Sequence, residues 1–349
     1  MQKTAEAVSL GHPDKTADFI SCFILDKLIA QDYELKYAVE VMIKGNTIIL
    51  GGEIKGNVSL NKLDVYVKEA LRAIGYDENY AAVWGDKAID VSNIQVINLI
   101  GQQSSEINQG VAQNGWGDQG VFIGYACRGE GHISKAQYLA QKLNLALYEK
   151  ALKSENLGLD IKTQITLDDE GKVKTAIAAI PMLQKVNLND FINETLGEKP
   201  CEVIVNGCGD FTYHSAVADC GITGRKLACD FYEAACPIGG GSPWTKDASK
   251  ADLSLNLLAR AIALQLLEDN DECFVYLSSC IGRAALQSAE VKFVKNSDVR
   301  RAKLDCSMTP VEVIDYLGLN KPVFADLCRK GLMQKSFALL TEDKLRLIL

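Results

Sequence analysis

The sequence predicts an α+β fold made of three similar units of about 110 residues each. The chain has 349 residues, enough for two or three domains. Its composition, 48% hydrophobic and 23% charged, is typical of globular proteins and excludes a disordered or fibrous chain. The hydrophobic pattern also repeats one order of elements along the chain, namely helix, hairpin, helix and strand.

The first unit shows this order in full. We expect a helix over 13–29, a hairpin of strands 37–44 and 47–51, a helix that ends at Gly75, and a strand over 94–100. Pro13 suits the first position of a helix, and Gly45-Asn46 tolerates the positive φ of a tight reversal.

The order returns twice more. The second unit comprises a strand at 121–127, a helix near 135–153, a hairpin that reverses at 168–171, a helix near 188–196 and a strand at 202–205. The third comprises strands at 226–232, 273–281 and 289–294 and helices at 250–267 and 310–317. The corresponding domains are 1–101, 113–217 and 218–349, and the lack of an obvious linker predicts that they pack tightly.

Charge and cysteine content exclude several classes of protein. The 37 basic and 45 acidic side chains give a net charge of −8, which argues against a nucleic-acid-binding surface, so any polyanion must meet a local basic cluster. Eleven cysteines without a CxxC pair argue against a disulfide framework or a cysteine zinc site and favour the cytoplasm. No apolar stretch is long enough for a membrane span, so we expect no membrane partner.

The motif GHPDK at 11–15 places three polar groups at a predicted helix N-terminus, where free amides and the helix dipole favour anions. Lys15 could offset phosphate charge, Asp14 could bind a divalent cation, and His12 could donate to an oxygen that gains charge. An ordinary helix start with proline at its first position is the alternative, and the motif alone leaves both open.

Two further segments have the composition of phosphate loops. Residues 239–247, GGGSPWTKD, lack the Walker A spacing, but three glycines suggest close backbone approach to a ligand. Lys246 and Lys250 would share a helix face near Asp252, a possible cation ligand; a solvated charged face would explain the lysines but not the glycines. Residues 219–226, DCGITGRK, suit a triphosphate, although a basic turn explains them equally well.

The run Gly115 to Gly120 satisfies GxGxxG, but it precedes a predicted strand instead of following one. This context disfavours a dinucleotide-binding fold. Asp118 stays either a functional carboxylate at a loop-to-strand junction or a turn residue.

Together these segments resemble the S-adenosylmethionine synthetase (methionine adenosyltransferase) family over nearly the whole chain. Six anchors follow the family order: EAVS at 6–9 leading into GHPDK at 11–15, GGEI at 51–54, INQGV at 107–111, GDQG at 117–120, DCGITGRK at 219–226, and GGG with KDxxKxD at 239–252. Each alone could arise by chance, but the ordered set is specific.

The resemblance implies three intertwined α+β units with pseudo-threefold symmetry, in a homodimer with shared active sites or a dimer of dimers. It implies a transferase that makes S-adenosyl-L-methionine from ATP and L-methionine. The methionine sulfur attacks C5′ of ATP, and the displaced triphosphate is cleaved to pyrophosphate and phosphate before release. The implied cofactors are Mg²⁺ and K⁺.

The resemblance also implies roles for residues at matched positions. The implied catalytic residues are His12, Lys15, Lys162, Arg225, Lys226, Lys246 and Lys250. The implied ATP contacts are His12, Asp160, Lys162, Phe211 (by stacking on adenine), Asp219, Arg225, Lys226, Ser242 and Lys246. The implied methionine contacts are Glu53, Gln103 (at the start of a mobile gate), Asp118, Asp219 and Lys250. Glu6, Asp14 and Asp252 would bind magnesium, and Glu40 would bind potassium.

The chain departs from the family pattern at several points. Asp210 stands in place of an arginine before the stacking Phe211, and His214-Ser215-Ala216 replaces Gly-Gly-Pro. The connection over 111–117 is shorter, and the tail diverges near 326–334. We therefore expect weaker ATP binding, unless Asp210 turns into solvent or meets a lysine.

Two alternatives stand beside an active synthetase. One is a catalytically reduced homologue that acts as an ATP- or S-adenosylmethionine-binding regulatory subunit, and the other is an unrelated phosphate-binding enzyme. Retention of the basic and acidic residues disfavours the first alternative, and the ordered motifs disfavour the second.

Overall fold

Three β-sheets form the frame of the protein in the computed structural model, which describes residues 3–102, 115–239 and 241–348. Their strands are β1 (Thr4–Val8), β2 (Lys36–Lys44), β3 (Thr47–Lys55), β4 (Gln95–Gln102), β5 (Gly120–Cys127), β6 (Lys162–Leu167), β7 (Val173–Ala179), β8 (Glu202–Val205), β9 (Gly221–Ile222), β10 (Glu272–Ser279), β11 (Ser288–Lys295), β12 (Asp298–Cys306) and β13 (Leu345–Ile348).

The helices pack between and over these sheets. They are α1 (Pro13–Ile29), α2 (Leu63–Ile74), α3 (Glu78–Trp84), α4 (Lys135–Ala151), α5 (Asn189–Leu196), α6 (Ser215–Ala218), α7 (Leu227–Asp230), α8 (Ala251–Leu267), α9 (Pro310–Leu317) and α10 (Phe324–Lys330). None of the described helices is long and apolar enough to cross a membrane.

Each sheet takes one strand from another part of the chain. The sheet orders are β4-β3-β2-β9, β1-β6-β7-β8 and β13-β12-β11-β10-β5. Strand β9 thus joins the first hairpin, β1 joins the second, and β5 joins the third group. This cyclic exchange is the α+β architecture of three intertwined sheets, and it carries residues 219–226 onto the edge of β2.

Most predicted elements are confirmed. Helix α1 has the predicted bounds, the β2–β3 hairpin turns at Gly45 with φ 57°, and α2 ends at Gly75 with φ 111°. Strands β1, β9, β13 and the charged strand β12, and helices α3, α6 and α10, were not predicted.

The predicted strand at 226–232 is wrong, because residues 227–230 form the short helix α7. Its segment has no β-branched residue, and Leu and Ala favour a helix. The N–H groups of Asp230 and Phe231 accordingly donate to the carbonyls of Lys226 and Leu227 at 3.0 and 2.9 Å.

Helices α1 and α8 lie in the core and are buried on nearly every side. The buried residues include Asp14, Lys15 and Asp18 on α1 and Asp252 on α8. Ionised groups are rarely buried without partners, so these buried charges mark a candidate functional region.

Candidate active site

The N-terminus of α1 presents His12 and Asp14. His12 is the N-cap, and its Nδ1 accepts a hydrogen bond from the Asp14 backbone N–H at 3.2 Å. Burial, reinforced by the Lys226 ammonium, lowers the pKa of His12 to about 4, so the ring is neutral near pH 7. Because Nδ1 accepts, the ring proton lies on Nε2, which can donate to an oxygen that gains charge.

The Asp14 carboxylate ties α1 to the turn at 219–226. One oxygen accepts from the Ile222 backbone N–H at 2.9 Å, and the other lies 2.6 Å from the Lys226 ammonium. The Arg225 Nε is 3.8 Å from Asp14, and half of its side chain is exposed. The turn therefore presents a guanidinium that is loosely paired with Asp14 and still half accessible to an anion from solvent.

The loop at 241–247 brings Lys246 to the first turn of α8. The Lys246 ammonium is bonded to Asp252, whose second oxygen accepts from the Gly241 N–H at 2.8 Å. A Cβ at Gly241 would lie 3.0 Å from the Lys246 Nζ, so glycine allows this close approach. Ser242 lies against Gly224 of the neighbouring turn, and the backbone of Lys246 pairs with Ala38 of β2.

Lys250 is the N-cap of α8, and the turn that contains Asp118 packs against its segment. The Lys250 ammonium lies 4.0 Å from Asp247 and is largely buried. The Gly117 N–H donates to the Ser249 carbonyl at 3.3 Å, while the Asp118 carboxylate accepts from the next backbone N–H at 2.8 Å. Asp118 thus has a turn role, and the preceding residue, Gly117, lies against the Lys250 side chain.

Lys162 and Glu6 face one another across two paired strands. Lys162 lies opposite Val8 in the β1–β6 register, and its ammonium is 3.0 Å from a Glu6 oxygen. Both side chains are partly exposed. Strand exchange between sheets therefore creates this ion pair.

Asp160 lies two residues before Lys162 and accepts from the Ser215 N–H at 2.9 Å. Burial, together with the neighbouring carboxylates of Asp219 and Asp14, raises the pKa of Asp160 to about 7. Asp219 itself is exposed and accepts from the next backbone N–H at 2.8 Å.

The segment that departs from the family pattern keeps a glycine-like backbone. Ser215 has φ 56°, and its Oγ accepts from the Ile89 N–H at 3.0 Å. His214 is buried, with Nδ1 donating to the Thr212 carbonyl at 2.7 Å and Nε2 accepting from the Tyr80 hydroxyl at 2.5 Å. Burial lowers the pKa of His214 to about 4, in agreement with a neutral ring in this arrangement.

Phe211 is half-buried, and Asp210 beside it is exposed. The Phe211 carbonyl accepts from the Met182 N–H at 3.0 Å, which fixes its backbone. The Asp210 carboxylate accepts from the Asn206 side-chain amide at 3.3 Å. Asp210 thus meets an amide and keeps its exposure to solvent.

Glu40 and Glu53 lie on the outward face of the β2–β3–β4 sheet. The Thr223 hydroxyl donates to Glu40, and Glu53 is paired with Ala38 in the register. Gln103 and the INQGV segment lie outside the described residues.

Each carboxylate expected to bind magnesium is paired with a lysine. The pairs are Asp14 with Lys226, Asp252 with Lys246, and Glu6 with Lys162. The structure thus brings the GHPDK, TGRK and KDxxKxD residues around the start of α1, whereas Lys15 points into the core.

Sequence reasoning missed three buried partners of Lys15, which are Asp18, Asp230 and Trp244. The spacing of three between Lys15 and Asp18 on one helix was a usable signal. Asp230 and Trp244 lie more than 200 positions away, so no local pattern could indicate them.

Comparison with known proteins gives one family. Residues 1–105 match the family model of the S-adenosylmethionine synthetase N-terminal domain, and residues 214–342 match that of the C-terminal domain. The S-adenosylmethionine synthase of Paramagnetospirillum magneticum is 31% identical, over 94% of this chain and 91% of that protein. The enzyme of the same name from Helicobacter pylori strain G27 is 32% identical, over 92% and 90%.

A solved structure extends the match to three dimensions. An unusual S-adenosylmethionine synthetase from Campylobacter jejuni superposes with a TM-score of 0.83 at 29% identity, covering 94% of this chain and 93% of that one. The chain therefore belongs to the S-adenosylmethionine synthetase family of methionine adenosyltransferases, transferases that form S-adenosylmethionine.

Proposed function

We propose that the site around the start of α1 makes S-adenosyl-L-methionine from ATP and L-methionine, after which water cleaves the displaced triphosphate to pyrophosphate and phosphate. The observation that carries this proposal is the set of ion pairs between Lys226, Lys246 and Lys162 and three carboxylates. A bound triphosphate would compete for these lysines, because its oxygens carry more charge than a single carboxylate.

The reaction depends on stabilising the leaving group and needs no general base. The methionine sulfur is a neutral thioether with a free lone pair, so it attacks C5′ without losing a proton. Negative charge grows on the bridging oxygen of the departing triphosphate, where Lys226 and Arg225 would neutralise it and the neutral His12 would donate from Nε2. Alignment of sulfur, C5′ and leaving oxygen would supply much of the remaining acceleration.

Substrate contacts follow the same layout. We assign the adenine to Phe211, with Asp160, Asp219 and Ser242 near the nucleotide, and the triphosphate to the lysines and Arg225. Methionine would meet Asp118 and Lys250, with Glu53 and Gln103 completing its site. Lys15 receives no substrate contact in this assignment, because its ammonium is held in the core.

Magnesium fits the donors that are present. The described residues contain no group of three or more His, Cys, Asp or Glu side chains arranged for a metal. Mg²⁺ usually binds one or two carboxylates together with substrate phosphates, so Asp14, Asp252 and Glu6 would hold it through the triphosphate. When bound, it would neutralise phosphate charge as a Lewis acid. Glu40, already beside the Thr223 hydroxyl, would offer K⁺ an oxygen ligand.

We expect turnover to require magnesium. Excess EDTA should reduce S-adenosylmethionine formation to background, and added Mg²⁺ should restore it, because the lysines alone would not organise a triphosphate. The assay is product formation with and without chelator at fixed ionic strength. Full turnover in excess EDTA would contradict the metal assignment.

The outward sheet face supports a homodimer. Met42, Ile49 and Ile97 lie in one row across β2, β3 and β4, and Leu99 lies in the row of Glu40. Leu99 is 64% exposed and Ile97 is 44% exposed. A contiguous apolar face of this kind is typical of a protein interface, and covering it would bring Glu40 and Glu53 into a shared site.

A Leu99→Glu variant should weaken this dimer. The new charge would be buried against the second copy, so the apparent mass should fall toward one chain and specific activity should fall with it. Light scattering coupled to size exclusion measures the mass, and Leu339→Glu, at a 78% exposed leucine elsewhere, is the control. A wild-type mass for both variants would refute this interface.

The charge at Asp210 should weaken ATP binding. An Asp210→Arg variant should lower the Michaelis constant for ATP several-fold, with a smaller gain at higher salt and little change for methionine, because exposed charges act weakly and are screened. Asp169→Arg, at an exposed acid of the β6–β7 turn, is the matched control. An unchanged or higher ATP constant in folded protein would rule out the effect.

Product analysis tests the function itself. Pure protein incubated with ATP, L-methionine, Mg²⁺ and K⁺ should yield S-adenosylmethionine, pyrophosphate and phosphate by mass spectrometry. ADP as the nucleotide product, or ATP binding without any product, would refute the synthetase; the second result would favour a regulatory homologue. The free thiols of the cysteines agree with a reaction in the cytoplasm, which we propose as its location.

A further inference from the structure

Lys15 lies at the centre of a buried cluster behind the proposed triphosphate site. Its ammonium is 3.1 Å from an Asp18 oxygen and 2.8 Å from an Asp230 oxygen, and it lies 4.6 Å from the centre of the Trp244 ring. The Trp244 indole N–H donates to Asp230 at 2.8 Å. We call these four residues the Lys15 cluster.

The Lys15 cluster joins α1 to the turn at 223–226 and to the loop at 241–247, two segments that carry predicted phosphate contacts. Asp18 accepts from the Gly224 N–H at 2.8 Å, which holds the turn that ends in Arg225 and Lys226. Trp244 lies two residues before Lys246, and its carbonyl accepts from the Cys22 thiol at 3.1 Å. Lys15 itself follows Asp14 directly. A displacement of the cluster would therefore move Arg225 and Lys226, Lys246, and Asp14.

Lys15 cannot itself contact a substrate in this arrangement. Its side chain is 5% exposed, and reaching a phosphate would break both carboxylate contacts. Leaving two buried carboxylates without their shared cation costs far more free energy than one further phosphate contact returns.

We propose that Lys15 is a positioning residue for the transferase reaction, which acts through the Lys15 cluster by fixing the turn at 223–226 and the loop at 241–247 against α1. This inference rests on the proposed function, because it concerns the geometry of that reaction. Catalytic groups misplaced by about 1 Å can lose about 100-fold in rate, so a buried clamp is sufficient to control turnover.

A double-mutant cycle tests this role. Lys15→Met should lower kcat about 30- to 100-fold, because two carboxylates then repel one another behind the site. Lys15→Met combined with Asp230→Asn removes one charge of each sign, and kcat should recover to within about tenfold of wild type. A lysine that touched the triphosphate would show no such recovery, since its contact is lost in both variants.

Milder changes and a control complete the design. Trp244→Phe keeps the ring under Lys15 but removes the N–H donor, and kcat per folded molecule should fall about three- to tenfold. Trp244→Phe tests the proposal even if Lys15→Met does not fold. Lys27 lies on α1 like Lys15 but pairs at the surface with Glu69 of α2, so Lys27→Met should leave kcat unchanged.

The readouts separate this proposal from the proposed function. Wild-type product formation is measured first, and inorganic tripolyphosphate binding by calorimetry is measured for every variant. Weaker binding in Lys15→Met with recovery in the double variant supports the cluster even if the wild type makes no product. A double variant no better than Lys15→Met in both assays, or a wild-type kcat and tripolyphosphate affinity for Trp244→Phe, would overturn it.

Discussion

Replacing Lys246 with methionine should lower kcat about 100- to 1000-fold, the loss typical of removing one preorganised group that stabilises developing charge. The ammonium lies at the start of α8 on Asp252, where it can turn to the departing triphosphate. The fold should survive, because methionine keeps the apolar stem, the backbone stays paired with Ala38, and Asp252 keeps the Gly241 N–H.

Steady-state kinetics and the thermal unfolding midpoint check this expectation together. Lys135→Met is the matched control, since that lysine also pairs with a carboxylate, Glu198, at 3.0 Å near a helix N-terminus, away from the site. A wild-type kcat in a folded Lys246→Met variant would remove this lysine from the chemistry.

The local elements could be predicted because their signals are local. Pro13 sets the start of α1, Gly45 and Gly75 adopt the positive φ that their positions require, and the capping box of Thr309 and Glu312 starts α9. Strand β12 was not predicted because most of its residues are exposed and charged, so it lacks the apolar–polar alternation of a half-buried strand. Helix α7 was not predicted because its four residues, Leu227–Asp230, are too few to show a helical hydrophobic period.

Strand exchange could not be read from the residues themselves. Val8 pairs with Lys162 and Met42 pairs with Ile222, so the partners are far apart in the sequence. Nothing in the hydrophobic alternation of a strand specifies its partner at such separation. The family resemblance supplied that expectation, while the domain boundaries at 101, 113 and 217 stay a prediction.

The site shows the same limit. Residue type and spacing indicated Asp14, Lys226, Lys246 and Asp252 as a phosphate and metal set, but they did not pair Asp14 with Lys226. Spacing likewise presented Lys15 as one more phosphate ligand, although burial gives it two carboxylates instead. Pairing depends on which loops meet in space, and that follows from the exchange of β1 and β9 between sheets.

An Asp14→Asn variant should lower kcat/KM for ATP about 100- to 1000-fold, because one carboxylate orients Lys226, accepts from the Ile222 N–H and is the proposed magnesium ligand. The amide oxygen can still accept from Ile222, so the turn should stay in place. Orienting Lys226 and binding magnesium are two separate roles of Asp14. A titration of turnover against Mg²⁺ concentration distinguishes them.

If Asp14 binds the metal, the Mg²⁺ concentration for half-maximal turnover should rise in Asp14→Asn and stay near wild type in Lys226→Met. If Asp14 only orients Lys226, both variants should keep the wild-type magnesium dependence, and Asp14→Asn combined with Lys226→Met should be no slower than Lys226→Met alone. Asp26→Asn is the control, since that half-buried carboxylate on the same helix accepts the Phe324 and Ala325 N–H groups at 2.9 Å, far from the turn. An unchanged kcat/KM in Asp14→Asn would exclude both roles, because a buried charge beside Lys226 that affects neither step has no part in the chemistry.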